Sequence, residues 1–238
     1  MNGEYHKWYS SHLKRDMEIL VFGHNGTPVV VCPTSYSRYS EWNDHGMIDE
    51  LADRISEGYL QIYCPDSVGA ESWYNEHTHP HDRVIRHNQW EGYLTDELWP
   101  FIKGRNPSQF VIITGASFGA YLAVNFALKH PDYVNKVVAL SGSYTIHNLL
   151  DGYYDEDCYF NCPLDYLPNL TDEWYLSRYR QIEWILVTGE GDVGVCQDTT
   201  WRLADLLRSK QVPVWSDYWG DQTGHDWSSW RRMIRKYL

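Results

Sequence analysis

Phe110-Val111-Ile112-Ile113-Thr114-Gly115-Ala116-Ser117-Phe118-Gly119-Ala120-Tyr121 decides the fold. An apolar run ends at Thr114, a serine stands between two glycines, and a second apolar run continues from Tyr121 to Leu128. The pattern reads as strand, tight turn and helix. Both glycines are needed, because a side chain at either flank of so sharp a turn would collide with neighbouring backbone. The turn lifts the serine out of the sheet to a helix N-terminus, where free N–H groups and the helix dipole favour an oxyanion. Ser117 is therefore a candidate nucleophile on a nucleophile elbow.

The same rhythm extends in both directions. Met17–Phe22, Val29–Val31, Leu60–Cys64, Phe110–Thr114, Val137–Leu140, Ile185–Thr188 and Val214–Tyr218 read as strands. His45–Glu57, Trp90–Lys103, Phe118–His130, Gln197–Lys210 and Asp226–Leu238 read as helices. Short, continuous apolar strands alternating with helices predict a mostly parallel, doubly wound α/β sheet covered on both faces. The length of 238 residues fits one such domain over 1–238. Gly23–Pro28 reads as a turn joining an antiparallel pair at the sheet's edge.

A serine nucleophile needs a base, and the base needs an orienting acid. On this topology they follow the serine as acid, then histidine, each beyond a strand end. After Ile185–Thr188 comes Gly189-Glu190-Gly191-Asp192, so Asp192 is the candidate acid, with Glu190 and Asp198 as rivals. After the last strand comes Gly224-His225-Asp226-Trp227, and His225 is the only histidine beyond His147. His225 is thus the candidate base. Asp221 and Asp226 stand too near it in sequence to orient it, and Asp226 suits a helix N-cap. Of the two oxyanion donors required, one is the N–H of Phe118. The other belongs to the loop Cys32-Pro33-Thr34-Ser35-Tyr36. Pro33 has no N–H, which leaves Ser35 as the candidate, then Tyr36.

Composition narrows the partners. Net charge is −12, against nucleic acid and anionic membrane surfaces. No apolar run approaches the length of a membrane span. Five scattered cysteines and no apolar leader predict a reducing, cytoplasmic setting with free thiols, Cys158 and Cys162 included. There is no phosphate-binding glycine loop or dinucleotide fingerprint, so no cofactor is expected. His77-Thr78-His79-Pro80-His81 alternates around a proline and reads as a turn-rich rim, with no metal expected. Glu71–Asn75 follows a strand and is placed to help shape the pocket. Aromatic content is high, with 12 Trp, 19 Tyr and 6 Phe. Many of these rings fall in 141–180, about forty residues between two strands, read as a small aromatic cap-like insertion over the sheet's C-terminal edge.

These residues resemble the putative-esterase group of the α/β-hydrolase superfamily over nearly the whole chain. The likeness rests on Thr114–Ala120, Asn125–Asp132, Ala139–Gly142, Thr188–Asp192 and the His-Asp-Trp-x-x-Trp ending at His225–Trp230. It implies a serine hydrolase of small-molecule esters, with nucleophile Ser117, acid Asp192, base His225 and an oxyanion donor at Phe118. Related branches include S-formylglutathione hydrolases, feruloyl and siderophore esterases and mycolyltransferases, so the substrate and the oligomeric state stay open. Acyl transfer through the same triad, and a non-catalytic binding homologue, are the alternatives.

Overall fold

Side chains alternate across a strand, so a buried parallel strand must be apolar on both faces. That condition is met along the centre of the sheet in a computed structural model, which describes residues 1–238 except for the side chain of Asp221. The Asp221 reading above therefore lies outside the described residues. Eight strands form: β1 (Glu4–Ser10), β2 (Arg15–Phe22), β3 (Thr27–Cys32), β4 (Leu60–Pro65), β5 (Ile112–Ala116), β6 (Lys136–Leu140), β7 (Glu183–Gly191) and β8 (Val214–Gly224). They lie in one sheet in the order β1-β2-β4-β3-β5-β6-β7-β8. From β4 to β8 neighbours are parallel; β1–β2 and β2–β4 are antiparallel.

The main helices are α1 (Pro80–Tyr93), α2 (Trp99–Arg105), α3 (Phe118–Lys129), α4 (Gly194–Ser209) and α5 (Trp227–Tyr237). Val30, Ile113, Val137, Ala139 and Leu186 face a core shared with α1 to α4. Val29, Val31, Ile112, Val138, Leu140, Ile185 and Val187 face the opposite core, closed by α5 and the turns around Met47–Ile55. α3 is buried over its first eleven residues, which explains why its sequence is apolar all round. Among the described residues no helix is long and apolar enough to cross a membrane.

Three readings need correction, and one strand escapes the sequence pattern. β1 has no apolar run; it is an edge strand with exposed Tyr5 and Tyr9, and it pairs with β2 across the turn after Ser10. Gly23–Pro28 does not join a pair, because β4 lies between β2 and β3. The helix expected over His45–Glu57 is three short turns, Glu41–Asp44, Met47–Glu50 and Ala52–Ser56, with Gly46 at φ +75° interrupting the first two. The helix expected from Trp90 begins at Pro80, its N-cap His79 accepting from His81 N–H, and continues through a π turn at Leu94–Leu98 into α2.

Residues 141–180 reach the top of the sheet only at their start. The rest of the segment packs beside α1, α3 and α4, with the Tyr121 hydroxyl donating to the Asn161 carbonyl at 2.8 Å and the Tyr179 hydroxyl to the Leu128 carbonyl at 2.5 Å. Its Tyr144, Tyr166 and Tyr179 are core residues.

Candidate active site

Strand order reverses at β3, because the chain crosses first to β4 on one side and then back to β5 on the other. Chains leaving the C-terminal ends of β3 and β5 therefore diverge around a crevice, the place where open α/β sheets gather ligands. Cys32 of β3 pairs with Gly115 of β5, so the Pro33–Tyr36 loop and the Ser117 turn rise side by side.

Ser117 adopts φ +54°, ψ −122°, a conformation that side chains rarely take. Its neighbours hold it there. The Ser117 N–H donates to the Leu140 carbonyl at 2.8 Å, and its carbonyl accepts from Ala120 N–H at 3.0 Å. A Cβ on Gly115 would lie 2.3 Å from the Gly119 carbonyl group, and one on Gly119 would lie 2.2 Å from the Cys32 carbonyl oxygen. Both glycines are steric necessities.

Two strand ends converge on this turn. His225 follows β8, and its Nε2 lies 2.8 Å from Ser117 Oγ. Asp192 follows β7, and its Oδ1 lies 2.6 Å from His225 Nδ1. Asp192 also accepts from Thr188 Oγ1 at 2.9 Å and from Val193 N–H at 2.9 Å. Burial pushes its carboxyl pKa up, but bonds from His225, Ser141 and Thr188 outweigh this and hold it below the usual range. An ionised Asp192 takes the Nδ1 proton as a hydrogen bond and leaves Nε2 as the acceptor facing the serine hydroxyl. The rivals sit elsewhere: Glu190 is exposed, and Asp198 pairs with Arg202 at 3.4 Å. Asp226 caps α5 by accepting from Ser229 N–H at 2.9 Å. Trp230 packs edge-on to His225 at 5.0 Å and donates to Ser141 Oγ at 3.0 Å, which fixes the imidazole's far side.

Phe118 opens α3, and its N–H and that of Ser35 donate to no acceptor among the described residues. Thr34 N–H is already taken, donating to Glu41 Oε2 at 2.9 Å, while the Thr34 hydroxyl donates to Oε1 of the same carboxylate. Glu41 was not singled out from sequence; it is 7% exposed and holds the loop from beneath.

A cavity of about 110 Å³ opens at Ser117, walled by Ser35, Tyr74 and Phe118 on one side. Ser143, Thr145, Asn148, Leu149 and Cys196 close the other. Its aromatic residues are Tyr74, from the Glu71–Asn75 stretch, and Phe118; the rings of 141–180 do not line it. Tyr74 bonds Ser35 Oγ through its hydroxyl at 2.6 Å, joining the two loops. Larger cavities of about 380 and 330 Å³ lie away from Ser117, so size does not mark the site. Three groups of ligand-type side chains gather within 4.8 Å: His147, Cys162 and Asp165; Asp192, Cys196 and His225; His81, Asp155 and Asp157. His77 and His79 belong to none of them. All five cysteines are buried and unpaired.

The family model described as "Putative esterase" matches residues 10–237. A ferulic acid esterase superposes with a TM-score of 0.79 at 19% identity, over 100% of this chain and 96% of that one. S-formylglutathione hydrolases from Agrobacterium tumefaciens and Staphylococcus aureus superpose at 0.73 and 0.70, each at 17% identity and 99% of this chain, over 92% and 94% of theirs. No curated protein matches the sequence. At these identities the superpositions establish the fold, an α/β-hydrolase sheet between helices.

Proposed function

The chain belongs to this putative-esterase family, and on that premise we propose that it cleaves small esters through an acyl-Ser117 intermediate. The observation that carries the reading is the continuous relay from Ser117 Oγ to His225 Nε2 at 2.8 Å and from Nδ1 to Asp192 at 2.6 Å. His225 takes the hydroxyl proton as Oγ attacks the ester carbonyl. The N–H groups of Phe118 and Ser35 receive the oxyanion. His225 then protonates the departing alcohol, activates a water, and the acid is released from Ser117.

The size of the cavity supports a narrower substrate class. At about 110 Å³ it is well below the roughly 300 Å³ at which whole-ligand pockets begin, so it receives a short acyl group while the alcohol extends outward. Acyl transfer would call for an aromatic lid that excludes water; the rings of 141–180 are absent from the cavity wall, and hydrolysis is the better reading. No nucleic acid or membrane takes part in this scheme, and no cofactor enters it.

A fluorophosphonate probe should label the native protein, and labelling should vanish in Ser117→Ala. On p-nitrophenyl esters, acetate and propionate should exceed octanoate in kcat/KM by at least about tenfold, given 1–3 kcal/mol per misfitted methylene. A folded wild type that neither labels nor hydrolyses any ester would refute the scheme.

A further inference from the structure

We propose that Asp192, Cys196 and His225 form an inhibitory binding site for a thiophilic divalent cation, Zn²⁺ in the first instance. The inference rests on the reading of Ser117, His225 and Asp192 as a catalytic relay. One carboxylate oxygen, one imidazole nitrogen and the Cys196 Sγ lie within 4.8 Å of one another. Oxygen, nitrogen and sulfur are the donors zinc selects, at about 2.0–2.3 Å, which sets tetrahedral ligands roughly 3.3–3.7 Å apart. The closest pair, Nδ1 and Oδ1 at 2.6 Å, need only separate by about 1 Å to reach that spacing.

The surroundings suit an ion. Asp192 is already oriented by Thr188 and Val193, the outer contacts a ligating carboxylate requires. Cys196 is on the wall of the Ser117 cavity, which brings one donor of the group to an opening in the surface. A net charge of −12 concentrates cations at the surface. On binding, the Cys196 S–H proton passes to buffer as the metal–sulfur bond forms.

Either mode of imidazole ligation stops the relay. Metal on Nε2 removes the base outright. Metal on Nδ1 displaces Asp192 from that nitrogen and confines the ring proton to Nε2, which then cannot accept from Ser117.

The test has two arms on the full chain. CoCl₂ titration should produce a near-ultraviolet sulfur-to-cobalt charge-transfer band in wild type and in Cys162→Ala, but not in Cys196→Ala or Cys196→Ser. Zinc chloride should inhibit p-nitrophenyl acetate hydrolysis reversibly, with chelator restoring the rate. The half-inhibiting concentration, normalised to each variant's own rate, should rise at least about tenfold in both Cys196 variants, the scale of a lost ligand-shell contact. Two variants guard against one misfolding, with circular dichroism as the check. A band that survives in the Cys196 variants, that is lost with Cys162 instead, or that never forms overturns the site. The cobalt arm reads the metal site even if no ester is turned over, so a failed relay and a failed metal site give different results.

Discussion

Glu41 is buried beneath the Pro33–Tyr36 loop, and its carboxylate fixes the backbone next to Ser35, the proposed second oxyanion donor. It accepts from both the Thr34 N–H and the Thr34 hydroxyl, and ionised acceptors make such bonds about twice as strong as neutral ones. In Glu41→Gln one of the two oxygens becomes an amide nitrogen, which cannot accept, so one of the bonds is lost. The loop then drifts while the Ser117–His225 contact is untouched. kcat should fall about ten- to a hundredfold, with KM within about twofold, because one oxyanion donor is worth 10²–10³ when removed outright. Steady-state kinetics with retained fluorophosphonate labelling checks this; a change in melting temperature alone, with kcat intact, would make Glu41 merely structural. Ser117, Asp192 and His225 were legible in sequence because each stands at a strand end in an obligatory chain order. Glu41 and Cys196 were not: Glu41 meets Thr34 through a loop whose folding no periodicity announces, and Cys196 meets His225 only once β7 and β8 lie side by side.

At the level of elements, α1, α3 and the 141–180 segment are joined by a buried polar cluster. Glu91 receives Lys129 Nζ at 2.5 Å, His87 Nε2 at 3.2 Å and the Asn125 amide at 3.2 Å, and Asn125 in turn donates to Asn161 at 2.9 Å. Burial pushes the Glu91 pKa up, but Lys129, His130 and His87 prevail and hold it well below the usual range. For His87, burial dominates and lowers the pKa. Both shifts carry the same sign: as pH falls, the unfolded chain takes up its proton before the folded one does. The His87 contribution is present above about 6.5 and declines below it; that of Glu91 is present above about 4.3 and is lost as pH drops toward its folded value. Melting temperature should therefore fall from pH 7 to pH 4, steepening below pH 5. Glu91→Gln should cost about 1–3 kcal/mol at pH 7, because Lys129 loses its carboxylate but is part-exposed and still donates to Asn161, and should show a shallower fall below pH 5 in calorimetry. Equal slopes in the two proteins would remove Glu91 from the account. Sequence revealed the strands of the central sheet because burial on both faces demands unbroken apolar runs. It hid β1, whose edge position tolerates Tyr5, Lys7 and Tyr9, and it hid the start of α1, where Pro80 at the first helical position resembles a turn.

Across the whole molecule, the sheet supplies a crevice where β3 and β5 part, and the surface charge governs what approaches it. With −12 net charge the protein repels anions at a distance, and the Debye length contracts from about 30 Å at 0.01 M salt to about 8 Å at 0.15 M. The segment 141–180 lends Ser143, Thr145, Asn148 and Leu149 to the cavity wall but none of its rings, so the proposed selection falls to the small cavity and to this long-range field. The two act on different observables. On the proposed function, acyl size is sensed inside the cavity and is indifferent to salt. Charge on the alcohol, which extends into solvent, is sensed through the field and is screened by salt. For a short-acyl ester with an anionic alcohol, kcat/KM should therefore rise at least about threefold between 10 and 300 mM NaCl. A neutral isostere should stay nearly constant and a cationic one should fall. Measuring all three against ionic strength separates steering from specific binding. A decline for the anionic ester would mean that a local basic contact, rather than the net charge, meets the alcohol.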